Sequence, residues 1–247
     1  RQRQAAAASP TFGRGLSSEA APGPHPWLAI APKAPDTLLP HERVLTFLAA
    51  NTAAGRLSDV ATDWTHLPTD KQAEGMEIIL QTHLFAGFPR TINALATIHQ
   101  IGVDTSPSAP SSWKEETWDP KGWQTAGEEA CNFIYGSAYP KLRKRMESMH
   151  PLLNSMMVEH GYGRVISRST LPLRLRELCV VSVLAGQNVA PQLTSHLRGA
   201  LRCGASPEEL KAVVDQTYLA WGDDQQAMAS ATFESSQRVG QGGRYAL

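Results

Sequence analysis

The sequence predicts an all-α protein. Apolar residues recur at three- and four-residue spacing in one segment after another, helix-start and helix-stop residues bracket those segments, and no run alternates with the period of a strand. Pro40-His41-Glu42 opens the first pattern, with Val44, Leu45, Phe47 and Leu48 at helical spacing. Thr69 stands where an N-cap would, with Gln72 closing a capping box. Met76, Ile79, Leu80, His83 and Leu84 then share a face; Gly87 stops that helix and Pro89 fits the first turn of the next, which carries Ile92, Leu95, Ala96 and His99 on one side. His83 and His99 read as core histidines rather than ligands. Residues 104–126 read as a linker, because the Ser- and Pro-rich run from Thr105 to Ser112 has no periodicity. Trp113, Trp118 and Trp123 punctuate its far end and are expected to pin it to a groove.

Further helices are predicted over 128–135, 140–148, 151–160 and 173–185. Gly186-Gln187-Asn188 breaks the chain before a helix carrying His196. Ser206 caps the next with Glu209 as its capping-box partner, Gly222 stops it, and a last helix covers 225–237.

Composition narrows the function classes. The chain has 247 residues, 42% hydrophobic and 19% charged, enough for one large or two small cores. Its 23 basic and 23 acidic side chains cancel, which argues against a protein that coats nucleic acid. No apolar run has the length of a membrane-spanning helix. Three cysteines, Cys131, Cys179 and Cys203, stand far apart with neither metal nor redox spacing, and fit a reducing compartment. No metal or cofactor site is expected.

The first 40 residues are the compositional outlier, rich in Ala, Pro, Gly and Ser, with Arg1, Arg3 and Arg14 ahead of the first acid, Glu19. Such a leader predicts an organellar transit sequence or its remnant, and Arg14-Gly15-Leu16-Ser17-Ser18 resembles a matrix-protease site. The alternative is a low-complexity tail with no address. Phe12, Leu16, Trp27, Leu28 and Ile30 are isolated anchors, so the arm is expected to lie on a partner protein rather than on its own helices. Lys141, Arg143, Lys144 and Arg145 form one basic run, read as a solvated face, with phosphate backbone or an acidic partner as the alternative contact.

The chemistry centres on Glu177 and His196. A carboxylate and an imidazole held on two packed helices make a proton relay or a packing pair. The stretch from Arg176 to Leu210, together with Tyr135-Gly136, Tyr139-Pro140, Val158-Glu159-His160-Gly161-Tyr162-Gly163 and Leu171-Pro172-Leu173-Arg174, resembles the carboxymuconolactone decarboxylase / alkylhydroperoxidase D-like family. Ala86-Gly87-Phe88-Pro89-Arg90-Thr91-Ile92-Asn93-Ala94-Leu95 resembles a second family segment. The resemblance implies the family's helical fold in two tandem units, a degenerate one over 41–103 and a better-preserved one over 127–247, and it implies trimers or hexamers.

The family's peroxidase branch carries Cys-x-x-Cys-x-x-x-His. Counting back from His196, the cysteine positions are Val189 and Gln192. Thiol peroxidase activity is therefore not expected. Gln192 also stands where the decarboxylase branch can place a carboxylate, and an amide transfers no proton on demand. The resemblance and its missing groups predict a catalytically degenerate accessory subunit of a mitochondrial assembly on the matrix side, such as a respiratory complex or mitoribosome. The alternative is a decarboxylase-like lyase or isomerase using Glu177 and His196, with Gln192 beside them, on a small organic acid. A third reading is a relic that binds a small ligand without turning it over.

Overall fold

The computed structural model describes residues 38–102 and 118–242. The N-terminal arm with its anchors, Trp113 and most of the expected linker lie outside the described residues. Among those described, every regular element is helical.

The helices are α1 (Pro40–Ala54), α2 (Leu57–His66), α3 (Gln72–Ala86), α4 (Phe88–Gln100), α5 (Pro120–Tyr135), α6 (Tyr139–Met149), α7 (Pro151–Met156), α8 (Leu173–Gly186), α9 (Ala190–Arg202), α10 (Pro207–Asp215), α11 (Thr217–Trp221) and α12 (Asp223–Gly242). None is long and apolar enough to cross a membrane.

Helix α8 is the axis. Every residue from Leu175 to Gly186 is buried, so the helix has no polar face, as expected of one enclosed on all sides. One side of it, through Leu175, Cys179 and Val183, completes the core of α1–α4 around Leu45, Leu48, Trp64 and Ile78. Another, through Leu178, Val181 and Leu184, packs on Leu193, Leu197, Leu210 and Val214 of α9 and α10. A third core joins Ile134, Tyr135 and Tyr139 to Val158, Tyr162 and Ile166. The first half of the chain therefore closes its core on a helix of the second.

Arginines clamp these layers. Arg174 donates to Glu42 of α1, with Nη1 2.7 Å from Oε1, and to Glu209 of α10. Arg176 is fully buried and bonds Glu77 and Gln81 of α3, each at 3.1 Å. Arg168 reaches the same Glu77 at 2.8 Å. Burial lowers the pKa of Arg176, and the carboxylate of Glu77 acts against that shift.

Four sequence expectations need correction. The Thr69 cap is not formed. Thr69–Lys71 is a 3₁₀ turn opened by the carbonyl of Pro68, which accepts from Lys71 N–H at 2.8 Å. Helix α5 starts at Pro120, inside the stretch read as linker; Asp119 caps it, accepting from Gly122 N–H at 2.9 Å. Trp118 is 75% exposed and meets the ring of Trp123 edge-on with centroids 4.9 Å apart rather than filling a groove, whereas Trp123 is buried within α5 under the guanidinium of Arg164. The helix begun at Pro151 does not run on as α past Met156. It widens into a π-helix over Met157–Ile166, ended by a bond from Ser167 N–H to Tyr162 O at 2.8 Å.

The π-helical segment and α5 touch backbone to backbone. A Cβ on Gly127 would stand 2.1 Å from Val158 O, and one on Gly163 would stand 1.9 Å from Trp123 O. Only glycine permits that approach. It sets Tyr162 directly against Tyr135.

Candidate functional site

The turn between α8 and α9 builds the site. Gly186 ends α8, Asn188 takes a left-handed conformation at φ 57°, and Pro191 sits in the first turn of α9. The chain thus reverses, and α9 returns along α8. Glu177, at the buried centre of α8, meets His196 on α9. The imidazole Nδ1 lies 2.9 Å from Glu177 Oε2, and both side chains are buried. Gly199, one turn further along α9, leaves room for the carboxylate.

Aromatic rings wall the pair. Phe85 meets His196 edge-on with centroids 5.6 Å apart, and Tyr135 lies at 6.3 Å. Tyr135 and Tyr162 share a short hydrogen bond between their hydroxyls. Burial holds both phenols above their ordinary pKa, and the nearby Glu177 charge adds to it. Beyond them, Tyr139 donates to Glu128 Oε2 at 2.5 Å, and Arg143 binds the Glu128 carboxylate and the Tyr139 hydroxyl.

Glu177 Oε1 is buried and has no hydrogen-bond partner among the described residues. A buried carboxylate oxygen left unpaired is costly, by about 1–3 kcal/mol or more. With Nδ1–H donated to Oε2, Nε2 of His196 is the nitrogen available to take a proton. The arrangement can orient a base.

The structure brings Glu177 and His196 together and leaves Gln192 apart. Gln192 is exposed at the start of α9, and Val189 packs against the α9–α10 core. No cysteine takes the vacated role. Cys179 is buried in the α1–α4 core, where burial pushes its thiol pKa up. Burial also pushes the thiols of Cys131 and Cys203 up to about 12. Among the described residues no cluster of three His, Cys, Asp or Glu side chains could hold a metal.

The basic run does not act as one face. Arg143 is turned inward to Glu128 and Tyr139, while Lys141, Lys144 and Arg145 are exposed. Sequence reasoning passed over Tyr135, Tyr162 and Gly199 as site residues, although the Tyr-Gly and Tyr-Gly-Arg segments that hold both tyrosines were legible. Of the two histidines read as core, His83 is buried, with its Nε2 2.8 Å from His160 Nε2 and Phe88 stacked on it, whereas His99 is exposed on α4.

Residues 151–233 match the Carboxymuconolactone decarboxylase family. The match covers α7, α8 and α9 with both Glu177 and His196, and ends within α12. That part of the chain is carboxymuconolactone decarboxylase-like. Two relatives share the name "Peroxisomal protein 2". The one from Schizosaccharomyces pombe is 27% identical over 135 residues, covering 54% of this chain and 62% of the relative. The one from Saccharomyces cerevisiae is 27% identical over 164 residues, covering 57% of this chain and 58% of the relative. The matched region thus spans about three fifths of each relative's length. These names overturn the expected mitochondrial matrix location. An Arg- and Ser-containing, acid-poor leader is a compositional signal only, and it misdirected the assignment.

Proposed function

We propose that this is a carboxymuconolactone decarboxylase-like protein of the peroxisome that performs acid–base chemistry on a small organic acid without a thiol nucleophile. His196 is the proton acceptor and donor. Glu177 is the residue that orients it and balances its charge. The tandem reading of 41–103 and 127–247 belongs to the same proposal; it is supported by the break between α3 and α4 at Gly87, which parallels the break between α8 and α9.

The observation that carries the proposal is the buried Glu177–His196 contact with Oε1 left over. A buried ion pair retained only for packing is readily matched by apolar side chains of similar volume. A pair with one unpaired carboxylate oxygen is a poor packing device, and it holds the imidazole in one orientation for proton transfer. The peroxisomal address is supported by the names of the two relatives.

The test uses the purified chain with a panel of small carboxylic acids and lactones. Exchange of C–H for C–D in heavy water and release of carbon dioxide are followed by NMR. At least one compound turns over, and His196→Asn lowers the rate by about 10²–10⁴-fold. Glu177→Gln lowers it too. A second reading, an accessory protein in which the pair only fixes helix packing, is favoured by His196 being 6% exposed. That reading wins if no compound reacts and both variants simply melt earlier. Fluorescence microscopy of the tagged full-length protein checks the peroxisomal address.

A further inference from the structure

His83 and His160 meet outside the Glu177–His196 site, and the acid–base reading uses neither. His83 stands in the last turn of α3, and His160 is carried by the π-helical segment Met157–Ile166. Their Nε2 atoms lie 2.8 Å apart. The contact joins the two halves of the chain at a place that solvent reaches. His160 is half-buried, and Phe88, whose ring stacks on His83 with centroids 5.0 Å apart, is 62% exposed.

The ring of His83 is held in one tautomer. Its Nδ1 contacts the carbonyl oxygen of Leu80, which can only accept, so Nδ1 carries the hydrogen. In the neutral imidazole Nε2 is then a lone pair, and it faces the ring of His160. Histidines that ligate metals are oriented in this way, with the far ring N–H given to a carbonyl. The stacked Phe88 ring fixes the imidazole plane. His160, as the tautomer with its hydrogen on Nδ1, presents the second lone pair. At metal–nitrogen distances of about 2.0–2.1 Å, two nitrogens 2.8 Å apart subtend roughly a right angle at the ion. That is the angle between neighbouring ligands of a tetragonal or octahedral ion.

The electrostatic setting also suits a cation. The last turn of α3 presents carbonyls with partial negative charge. Arg164, the first Lys or Arg after His160 in the chain, has its guanidinium over the Trp123 ring of α5.

We propose that His83 and His160 bind a divalent transition-metal ion through their two Nε2 atoms, copper(II) most tightly. Imidazole suits copper, nickel and zinc; copper(II) leads that series in affinity and takes right-angled ligands. Among the described residues no cluster of three His, Cys, Asp or Glu closes a metal site. Water fills the remaining positions, so the ion is exchangeable rather than a folding staple. The inference stands apart from the acid–base reading and does not rest on it.

Copper(II) is titrated into the full, chelator-treated chain by calorimetry, with zinc(II) as the comparison ion, and the bound copper is examined by electron paramagnetic resonance. A single saturable copper site is expected, tighter than zinc, with couplings from two imidazole nitrogens. His160→Gln, at a half-buried position, and His83→Gln should each weaken it by at least about tenfold, the size of effect that loss of even an outer partner of a ligating histidine has. Melting of the metal-free proteins confirms that both variants fold. His99→Gln, at an exposed position on α4, and His196→Asn should bind copper as the parent does. Absence of a saturable site means that the two rings only share a hydrogen bond, and it overturns the proposal. So does a site that survives both His83→Gln and His160→Gln, or one that is lost in His99→Gln or His196→Asn instead. Loss of exchange activity in His196→Asn with copper binding intact separates the ion site from the acid–base pair.

Discussion

Gly199 lies so close to Glu177 that a Cβ added to it would stand 2.8 Å from the carboxylate Oε2, the oxygen that His196 engages. The same Cβ would stand 2.8 Å from Ile134 Cγ2, so it is squeezed from two sides. Helix α9 tolerates a glycine in its interior because only a missing side chain lets the buried acid reach the imidazole.

Gly199→Ala is thus predicted to damage the pair while improving the helix. Alanine gains about 0.5–1 kcal/mol of helix propensity. Overpacking costs about 1–3 kcal/mol, so the clash wins and the protein is destabilised overall. Denaturant unfolding checks the sign. The imidazole NMR signals of His196 check the geometry, since a displaced Glu177 changes them. Unaltered signals together with raised stability would show that the contact is slack.

The thiols lead to a prediction about alkaline pH. Cys131 and Cys203 are held up to about 12 by burial, from an ordinary value of 9.0. In the unfolded chain each thiol ionises near its ordinary value, so between about pH 9 and 12 the unfolded state binds fewer protons than the folded one. Stability therefore falls as pH rises through that window, and the thiol contribution is fully present below it. The buried phenols of Tyr135 and Tyr162 shift the same way and add to the loss. Melting temperatures from pH 7 to 11 should decline, and Cys131→Ala should flatten the decline even while lowering stability at neutral pH. At pH 7 an electrophilic thiol reagent should react slowly with the native protein and quickly in denaturant. Rapid peroxide turnover abolished by loss of one cysteine would overturn the account.

Much of this was legible in the sequence, because helix periodicity and caps are local. Ser206 and Glu209 form the capping box that their spacing announces, and Gly87 and Gly222 end helices at positive φ. The meeting of Glu177 with His196 was legible through the spacing carried by the family resemblance. What stayed hidden is non-local. Nothing in the local pattern of Gly127 and Gly163 reveals that they lie against Val158 and Trp123, and the π-helical register they accompany depends on that contact. The partners of Arg174, Arg176 and His83 are likewise set by packing between distant segments. The start of α5 was readable in Asp119-Pro120, but polar Lys121 and Gly122 obscured the amphipathic face behind it.

Asn188 supplies the left-handed residue on which the reversal from α8 to α9 turns. Asn188→Gly keeps that conformation and should change stability by less than about 1 kcal/mol. Asn188→Val forces a β-branched side chain into φ 57° and should cost about 1–3 kcal/mol. Because the turn aims His196, the valine variant should also lose exchange activity out of proportion to its stability. Thermal melting and the heavy-water assay, run on the same samples, decide this. Equal behaviour of the two variants would mean that the turn is free to relax.

The last prediction concerns asymmetry in the clamp between α3 and α8. Glu77 is 1% exposed and serves two cations, Arg168 at 2.8 Å and Arg176 at 3.1 Å. Removing the acid by Glu77→Leu leaves Arg176 a buried cation with only neutral acceptors among the described residues, the Gln81 side chain and the Arg168 carbonyl. That should cost about 3–5 kcal/mol, the usual penalty for an uncompensated buried charge. Removing the cation by Arg176→Met leaves Glu77 still paired with Arg168, so the loss should be smaller, about 1–3 kcal/mol. The double change removes the stranded charge as well and should be less destabilising than the sum of the two, with an interaction energy of about 0.5–3 kcal/mol. Chemical denaturation of the four proteins measures all three quantities. Additive losses, or a larger cost for Arg176→Met than for Glu77→Leu, would mean that Arg176 is stabilised chiefly by Gln81 and the Arg168 carbonyl rather than by Glu77.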